Sequence, residues 1–189
     1  MKQKLILFLT IINMGFLTHA QDEKLSVTVA YPLSVGDNFL ANDNGIVDAG
    51  LQFRFLESSA FNFGLTANVG FFASSDNLGQ FTIKNNVLLL QPRAYGEVNA
   101  ETLNGFRPFF GLGYTIVNSS TKFNSDQTPD RSDSTGAINL NLGAAYDITN
   151  DLFAFVSYDY LNVSRDNPNQ NNSFFETANV LKIGVGLRF

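Results

Sequence analysis

The chain has no cysteine and no tryptophan, and its only histidine is His19. Without cysteine it can form no disulfide framework, no thiolate metal site and no lipidated N-terminal cysteine. Backbone hydrogen bonds and side-chain burial must therefore hold the fold together.

Basic residues are also scarce, because 12 Lys and Arg stand against 17 Asp and Glu. Two of the lysines, Lys2 and Lys4, precede residue 21, so residues 21–189 carry 10 basic and 17 acidic side chains, a net charge of −7. A chain this acidic, with no basic patch, is not expected to bind nucleic acid.

Long apolar runs are absent apart from residues 5–17, where Thr10 and Asn13 interrupt the run. A membrane-spanning helix needs about 20 apolar residues, so a helical anchor is the weaker interpretation. Lysines before the run and a small residue, Ala20, after it are typical of a secretory signal peptide. We expect residues 1–20 to be removed before Gln21, which leaves residues 21–189 as one domain without histidine.

From residue 21 onwards, apolar side chains alternate with small or polar ones in eight segments, and no helical period lasts three turns. The segments are 25–35, 46–56, 61–73, 83–98, 106–117, 137–148, 152–161 and 179–189. In 83–98, Leu89 breaks the alternation and Pro92 cannot donate an amide to a ladder. We therefore predict eight strands, with a β-bulge near Pro92.

The connections between these segments alternate in length. Long polar stretches at 36–45, 74–82, 118–136 and 162–178 are separated by short turns at 57–60, 99–105 and 149–151. Outer-membrane barrels have this arrangement, and eight is the smallest strand number among them. The predicted fold is all-β: an eight-stranded antiparallel up-and-down transmembrane β-barrel with long loops at one end and short turns at the other.

Alternation does not by itself distinguish a membrane barrel from a soluble lipid carrier, since both have one apolar and one polar face. Here the polar face combines charges with many glycines, which suits a narrow lumen filled by paired side chains. The expected polar network of the lumen consists of Asp48, Gln52, Arg54, Arg93, Glu97, Asp147, Asp159, Lys182 and Arg188, with Arg107 as a further cation.

The opposite face is dense in Phe, Leu, Val and Tyr, and in water it would be a far larger apolar patch than soluble monomers expose. We therefore expect it to contact outer-membrane lipid. Aromatic residues near the strand ends should lie in the two interfacial girdles; they are Tyr31, Phe61, Phe71, Phe106, Tyr158, Tyr160 and Phe189.

The end of the chain, Leu181-Lys182-Ile183-Gly184-Val185-Gly186-Leu187-Arg188-Phe189, alternates strictly and closes on phenylalanine. With this segment and Arg107-Pro108-Phe109-Phe110-Gly111, residues 21–189 resemble the small eight-stranded outer-membrane barrels of the OmpA/OmpX type. The resemblance implies the outer membrane of a Gram-negative bacterium and a terminal Phe189 that the barrel-assembly machinery reads.

The expected function is non-enzymatic: a structural, envelope or surface-interaction role, with a monomeric barrel as scaffold and loops that contact an unknown extracellular ligand. We expect no catalytic residue, cofactor or metal. Three alternatives remain open: a porin-like channel for small solutes, a lipid-binding barrel, and an outer-membrane hydrolase. The hydrolase is the weakest, because Ser–His chemistry needs an imidazole that residues 21–189 lack.

Overall fold

A computed structural model describes residues 24–78, 81–123, 129–163 and 177–189. These residues form one closed antiparallel barrel in which every strand pairs with its neighbours in chain order. Strand β1 (Leu25–Ser34) pairs with the last strand, β8 (Thr177–Arg188), and Val29 stands opposite Val185 at this seam. The predicted fold class is therefore confirmed.

Between β1 and β8 lie β2 (Asn44–Glu57), β3 (Phe61–Leu78), β4 (Phe81–Val98), β5 (Phe106–Phe123), β6 (Arg131–Asp147) and β7 (Leu152–Val163). A 3₁₀ turn, Ala100–Leu103, precedes β5. Asn104 and Gly105 follow it with φ of 53° and 87°, the left-handed region that completes this tight reversal.

Strands β3 to β6 are longer than the sequence predicts. They reach 17 or 18 residues, and segments 74–82 and 118–136, expected to be loops, contribute to them. The pairing of β3 with β4 continues to Leu78 and Phe81. These extensions are rich in Ser, Thr and Asn on both faces, so no apolar alternation marks them as strand.

The predicted bulge near Pro92 is wrong. The register between β4 and β5 is the same on both sides of this residue, from Leu90↔Ile116 to Arg93↔Gly113, and the ladder skips only the pairs at Gln91 and Pro92. A skipped pair is enough to accommodate the missing amide.

The register shifts instead in β2, between Gly45 and Val47 and between Arg54 and Leu56. Each shift lets two successive apolar residues face outwards, Ile46 with Val47 and Phe55 with Leu56. A bulge inserts one residue and so reverses the alternation locally.

Polar side chains face the lumen and apolar side chains face outwards. Leu112 and Leu142 on the outer face are 57% and 63% exposed in the isolated chain, whereas Asp159 is completely buried. Within the described part of the chain, no helix has the length and apolar character needed to cross a bilayer.

Candidate functional site

The middle of the lumen contains two cations and two carboxylates from four different strands. Lys182 Nζ lies 2.6 Å from Asp48 Oδ2 and 2.9 Å from Asp159 Oδ2. Arg93 Nη1 lies 2.8 Å from Asp159 Oδ1. The four side chains are buried and their charges sum to zero, so each cation has the anionic partner that burial requires. We call them, with the amides described next, the central network.

Amide side chains complete this network. Lys182 Nζ donates to Gln91 Oε1 at 2.7 Å, and Asn68 Nδ2 donates to Asp48 Oδ1 at 2.7 Å. Arg93 Nη2 donates to Asn68 Oδ1 at 2.7 Å. Asn68 therefore connects the Asp48 pair to the Arg93 pair.

A second cluster, the lower network, lies towards the short turns. Arg107 Nη1 is 2.6 Å from Glu97 Oε2, and Arg107 Nη2 is 2.8 Å from Asp147 Oδ1. Arg54 Nε donates to Glu97 Oε1 at 3.1 Å, and Arg188 Nη2 donates to Asp147 Oδ1 at 2.9 Å. Three arginines therefore share two buried or half-buried carboxylates.

Aromatic rings fill the lumen between and beside the two networks. Phe153 lies under two guanidinium groups, with Arg107 Cζ 4.8 Å and Arg188 Cζ 5.4 Å from its ring centroid. Tyr95 packs on Gly64, where an added Cβ would lie 2.5 Å from the ring. Glycine thus provides the space that a ring from the neighbouring strand occupies.

Little open volume remains inside the barrel. A cavity of about 30 Å³ lies between the two networks, bordered by Arg93, Glu97 and Arg107. This is room for about two water molecules. A larger recess of about 580 Å³ opens at the short-turn end and reaches Arg54, Arg107 and Arg188.

An apolar cluster closes the lumen at the opposite end; we call it the apolar cap. Its members are buried side chains of six strands together with Leu40, from the connection after β1. They are Leu40, Phe72, Val87, Leu89, Val117, Ala137, Leu161, Val163, Ala178 and Val180. Leu89, which broke the predicted alternation, is completely buried in this cluster.

The connection between β1 and β2 is fixed to the barrel by its polar residues. Asp43 is buried and accepts hydrogen bonds from Ser74 Oγ at 2.6 Å and from Asn85 Nδ2 at 2.9 Å. Asn38 Oδ1 accepts from Leu40 N at 2.9 Å. These bonds hold Leu40 in the mouth of the lumen.

The structure places all nine predicted lumen residues on the inner side of the barrel. Eight of them take part in the two networks, whereas Gln52 borders the small cavity and joins none of the described hydrogen bonds. The amides of Asn68, Gln91 and Asn141 are equally involved, although the predicted set omitted them. They occupy polar positions of the alternating strand segments, and this signal could have identified them.

Two further predictions concern the ends of the chain. Phe189 is paired with the first strand, since its amide donates to Leu25 O at 2.7 Å. The predicted signal peptide, residues 1–20, lies outside the described residues.

The sequence matches the family model described as outer membrane protein beta-barrel domain over residues 6–189. A comparison of the sequence with curated proteins finds no match.

Solved structures with the same fold are outer-membrane barrels. A major outer membrane protein from Thermus thermophilus is 16% identical, with a TM-score of 0.63, and the match covers 88% of this chain and 99% of that one. Ail, the attachment invasion locus protein of Yersinia pestis, in complex with the heparin analogue sucrose octasulfate, is 13% identical with a TM-score of 0.60, covering 88% and 97%. The N-terminal β-barrel domain of Pseudomonas aeruginosa OprF is 16% identical with a TM-score of 0.58, covering 89% and 98%.

Proposed function

Because the chain belongs to the outer membrane protein beta-barrel domain family, we propose that it is a non-enzymatic outer-membrane protein with a closed lumen. The barrel is the scaffold, and the end with the long connections contacts molecules outside the cell. The role is structural or one of surface interaction.

The closed lumen carries this proposal. The apolar cap covers one end. Below it, Lys182 on β8 crosses the lumen to Gln91 on β4, and Arg93 on β4 crosses it to Asp159 on β7. An ion passing through would have to separate buried, hydrogen-bonded charge pairs, which costs several kcal/mol. A barrel with this interior is better suited to be a scaffold than a channel.

Export and assembly are part of the same proposal. Residues 1–20 act as a cleaved signal peptide, the assembly machinery reads Phe189, and the protein is a monomer in outer-membrane lipid. Outer-membrane barrels carry short turns on the periplasmic side and longer loops outside. We therefore propose that the apolar cap faces the cell surface. N-terminal sequencing of the membrane-extracted protein should begin at Gln21.

Ligand binding at the outer end has support from the fold. Ail was solved with a heparin analogue bound, which supports the idea that an eight-stranded barrel can present a ligand-binding surface. In this chain we propose the connection 35–43, beside the apolar cap, as part of such a surface.

A small-solute channel is the second candidate, and the recess of about 580 Å³ at the short-turn end favours it. Planar bilayers distinguish the two functions. The folded protein should give no steady current under conditions in which a general porin conducts. Stable single-channel currents would contradict the closed lumen.

Enzymatic activity has a separate test. Purified protein should not release fatty acid from outer-membrane lipids, since residues 21–189 contain no histidine to act as a base. Turnover that persists after further purification would overturn the non-enzymatic proposal.

A further inference from the structure

The outer faces of β4, β5 and β6 change from apolar to polar at one level of the barrel. Leu90 stands opposite Ile116, and both face outwards. Two residues further from the short turns, Leu88 stands opposite Asn118, which is in turn the register partner of Ser134 on β6. This step marks the upper boundary of the apolar band.

Two lysines face each other above this boundary. Lys84 on β4 is the direct register partner of Lys122 on β5, and both are exposed. They lie four residues beyond Leu88 and Asn118, about 13 Å along the strand and about 10 Å in height at the usual barrel tilt. The headgroup region extends about 5–8 Å beyond the hydrocarbon on each side, so the backbone at these positions lies just above it, and a lysine side chain reaches it by bending back.

Neither lysine forms an ion pair with any of the described residues. Like charges directly opposite each other destabilise a sheet unless an anion lies between them. The nearby carboxylates have other partners: Asp130 accepts from Phe123 N at 3.2 Å and Asp133 accepts from Ser134 N at 3.0 Å. Asp76 stands opposite Ile83 in the inward-facing series of the strands.

A groove of about 430 Å³ lies directly below the lysine pair. Phe71 and Leu88 line its lower part and are continuous with the lipid-facing surface. Asn86, Asn118 and the serines of β5 and β6 line the rest, together with Asp133. Such a groove matches an amphiphile that has hydrocarbon at one end and hydroxyl groups at the other.

We propose that this outer face binds the phosphorylated saccharide headgroup of an outer-leaflet glycolipid. The phosphate lies between Lys84 and Lys122, the sugar hydroxyls contact the Asn and Ser side chains of the groove, and the acyl chains follow Phe71 and Leu88. This inference rests on the proposed placement of the long-connection end outside the cell.

The test uses the full-length folded protein in phosphatidylcholine nanodiscs that contain a minor fraction of bisphosphorylated lipid A, dephosphorylated lipid A or phosphatidylglycerol. Native mass spectrometry measures the glycolipid that each barrel retains. The bisphosphorylated form should be retained in excess. Lys84→Gln with Lys122→Gln should weaken its retention about 10- to 30-fold, since each lysine near a charged surface contributes about a factor of five.

Matched variants make the result specific. Lys24→Gln removes a cation near the short turns, at the other end of the barrel, and should leave retention unchanged. Lys84→Arg with Lys122→Arg should preserve it. Heat-dependent migration on a denaturing gel verifies that each variant is folded. Equal retention of the dephosphorylated lipid or of phosphatidylglycerol, or a comparable loss in Lys24→Gln, would overturn the proposal.

The inference and the orientation on which it rests can fail separately. Nanodiscs expose both leaflets, so glycolipid retention is measured independently of orientation. Labelling of a cysteine introduced at exposed Ala41 in intact cells tests which end faces outwards. Retention without surface labelling would refute the orientation alone, and labelling without retention would refute the glycolipid site alone.

Discussion

Phe153 on β7 and Gly186 on β8 are register partners, and the ring of Phe153 occupies the space next to the glycine. A Cβ placed on Gly186 would lie 2.1 Å from the Cζ atom of the ring. The same ring supports the guanidinium groups of Arg107 and Arg188. The glycine therefore determines where the ring sits, and the ring helps to position the lower network.

Gly186→Ala should destabilise the barrel, because the added methyl group must displace Phe153 and the arginines above it. We expect the free energy of unfolding to fall by about 1–3 kcal/mol, the usual cost of overpacking. Guanidinium-induced unfolding in phospholipid vesicles measures this change. Gly111→Ala is the matched control, since its Cβ would lie 3.4 Å from the nearest atoms and should be tolerated. Equal stability of the two variants would show that the packing around Phe153 is not tight.

Lys182→Met should destabilise the protein more strongly. It leaves Asp48 and Asp159 buried without the cation that lies within 2.9 Å of both. Removing one partner of a buried ion pair costs about 3–5 kcal/mol. The double variant with Asp48→Asn should recover part of this loss, as measured by the same unfolding experiment.

The control for Lys182→Met is an exposed ion pair that Arg54 of the lower network forms with Glu57. Arg54 Nη1 lies 3.4 Å from Glu57, whose side chain is 47% exposed. Glu57→Gln should therefore change the free energy of unfolding by less than about 1 kcal/mol. A loss as large as that of Lys182→Met would mean that burial does not govern the strength of these pairs.

The two-residue alternation of apolar and polar side chains and the alternating lengths of the connections were enough to predict the strand number and the closed topology. They also predicted that the charged side chains face inwards. Strict alternation from Phe61 to Phe71 leaves only one choice of faces, because a strand repeats every two residues. The apolar cap was not predicted. Leu89 and Phe72 face inwards as apolar residues, and a pattern that assigns apolar side chains to lipid cannot identify an apolar segment of the lumen.

The ion pairs between lumen side chains could not be predicted from the sequence either. Asp48 and Lys182 are separated by 134 positions and meet only because the barrel closes through β1. The β2 bulges were missed because Ile46-Val47 and Phe55-Leu56 read as ordinary apolar pairs. Such details depend on the register of neighbouring strands.

The lipid-facing surface can be tested at its middle. Leu112→Arg places a cation in the centre of the outer apolar band and should lower the free energy of unfolding by about 2–4 kcal/mol in a bilayer. Ser120→Arg, on the same strand above the band, should have an effect near zero. Similar values for both would contradict the assignment of this face to hydrocarbon.

Because Leu40 is buried in the apolar cap, we expect it to hold the segment 35–43 against the barrel. Leu40→Asp should release the segment 35–43, because a carboxylate is costly in the apolar surroundings that now bury Leu40 completely. Amide hydrogen exchange of this segment should become more than about tenfold faster. Ala41→Asp, at an exposed neighbouring position, is the control and should leave the exchange unchanged.

Phe189 combines a structural and a proposed assembly role, and the two make different predictions. Its backbone closes the seam through hydrogen bonds to Leu25 O at 2.7 Å and from Leu25 N at 3.3 Å, neither of which requires an aromatic side chain. Phe189→Ala should therefore refold in detergent as well as the parent protein, yet accumulate as unfolded precursor in cells. Leu187→Ala removes a similarly exposed apolar side chain two residues earlier and should assemble normally. The heat-resistant, fast-migrating fraction in outer-membrane preparations measures assembly, and a normal yield of Phe189→Ala would refute the recognition of this residue.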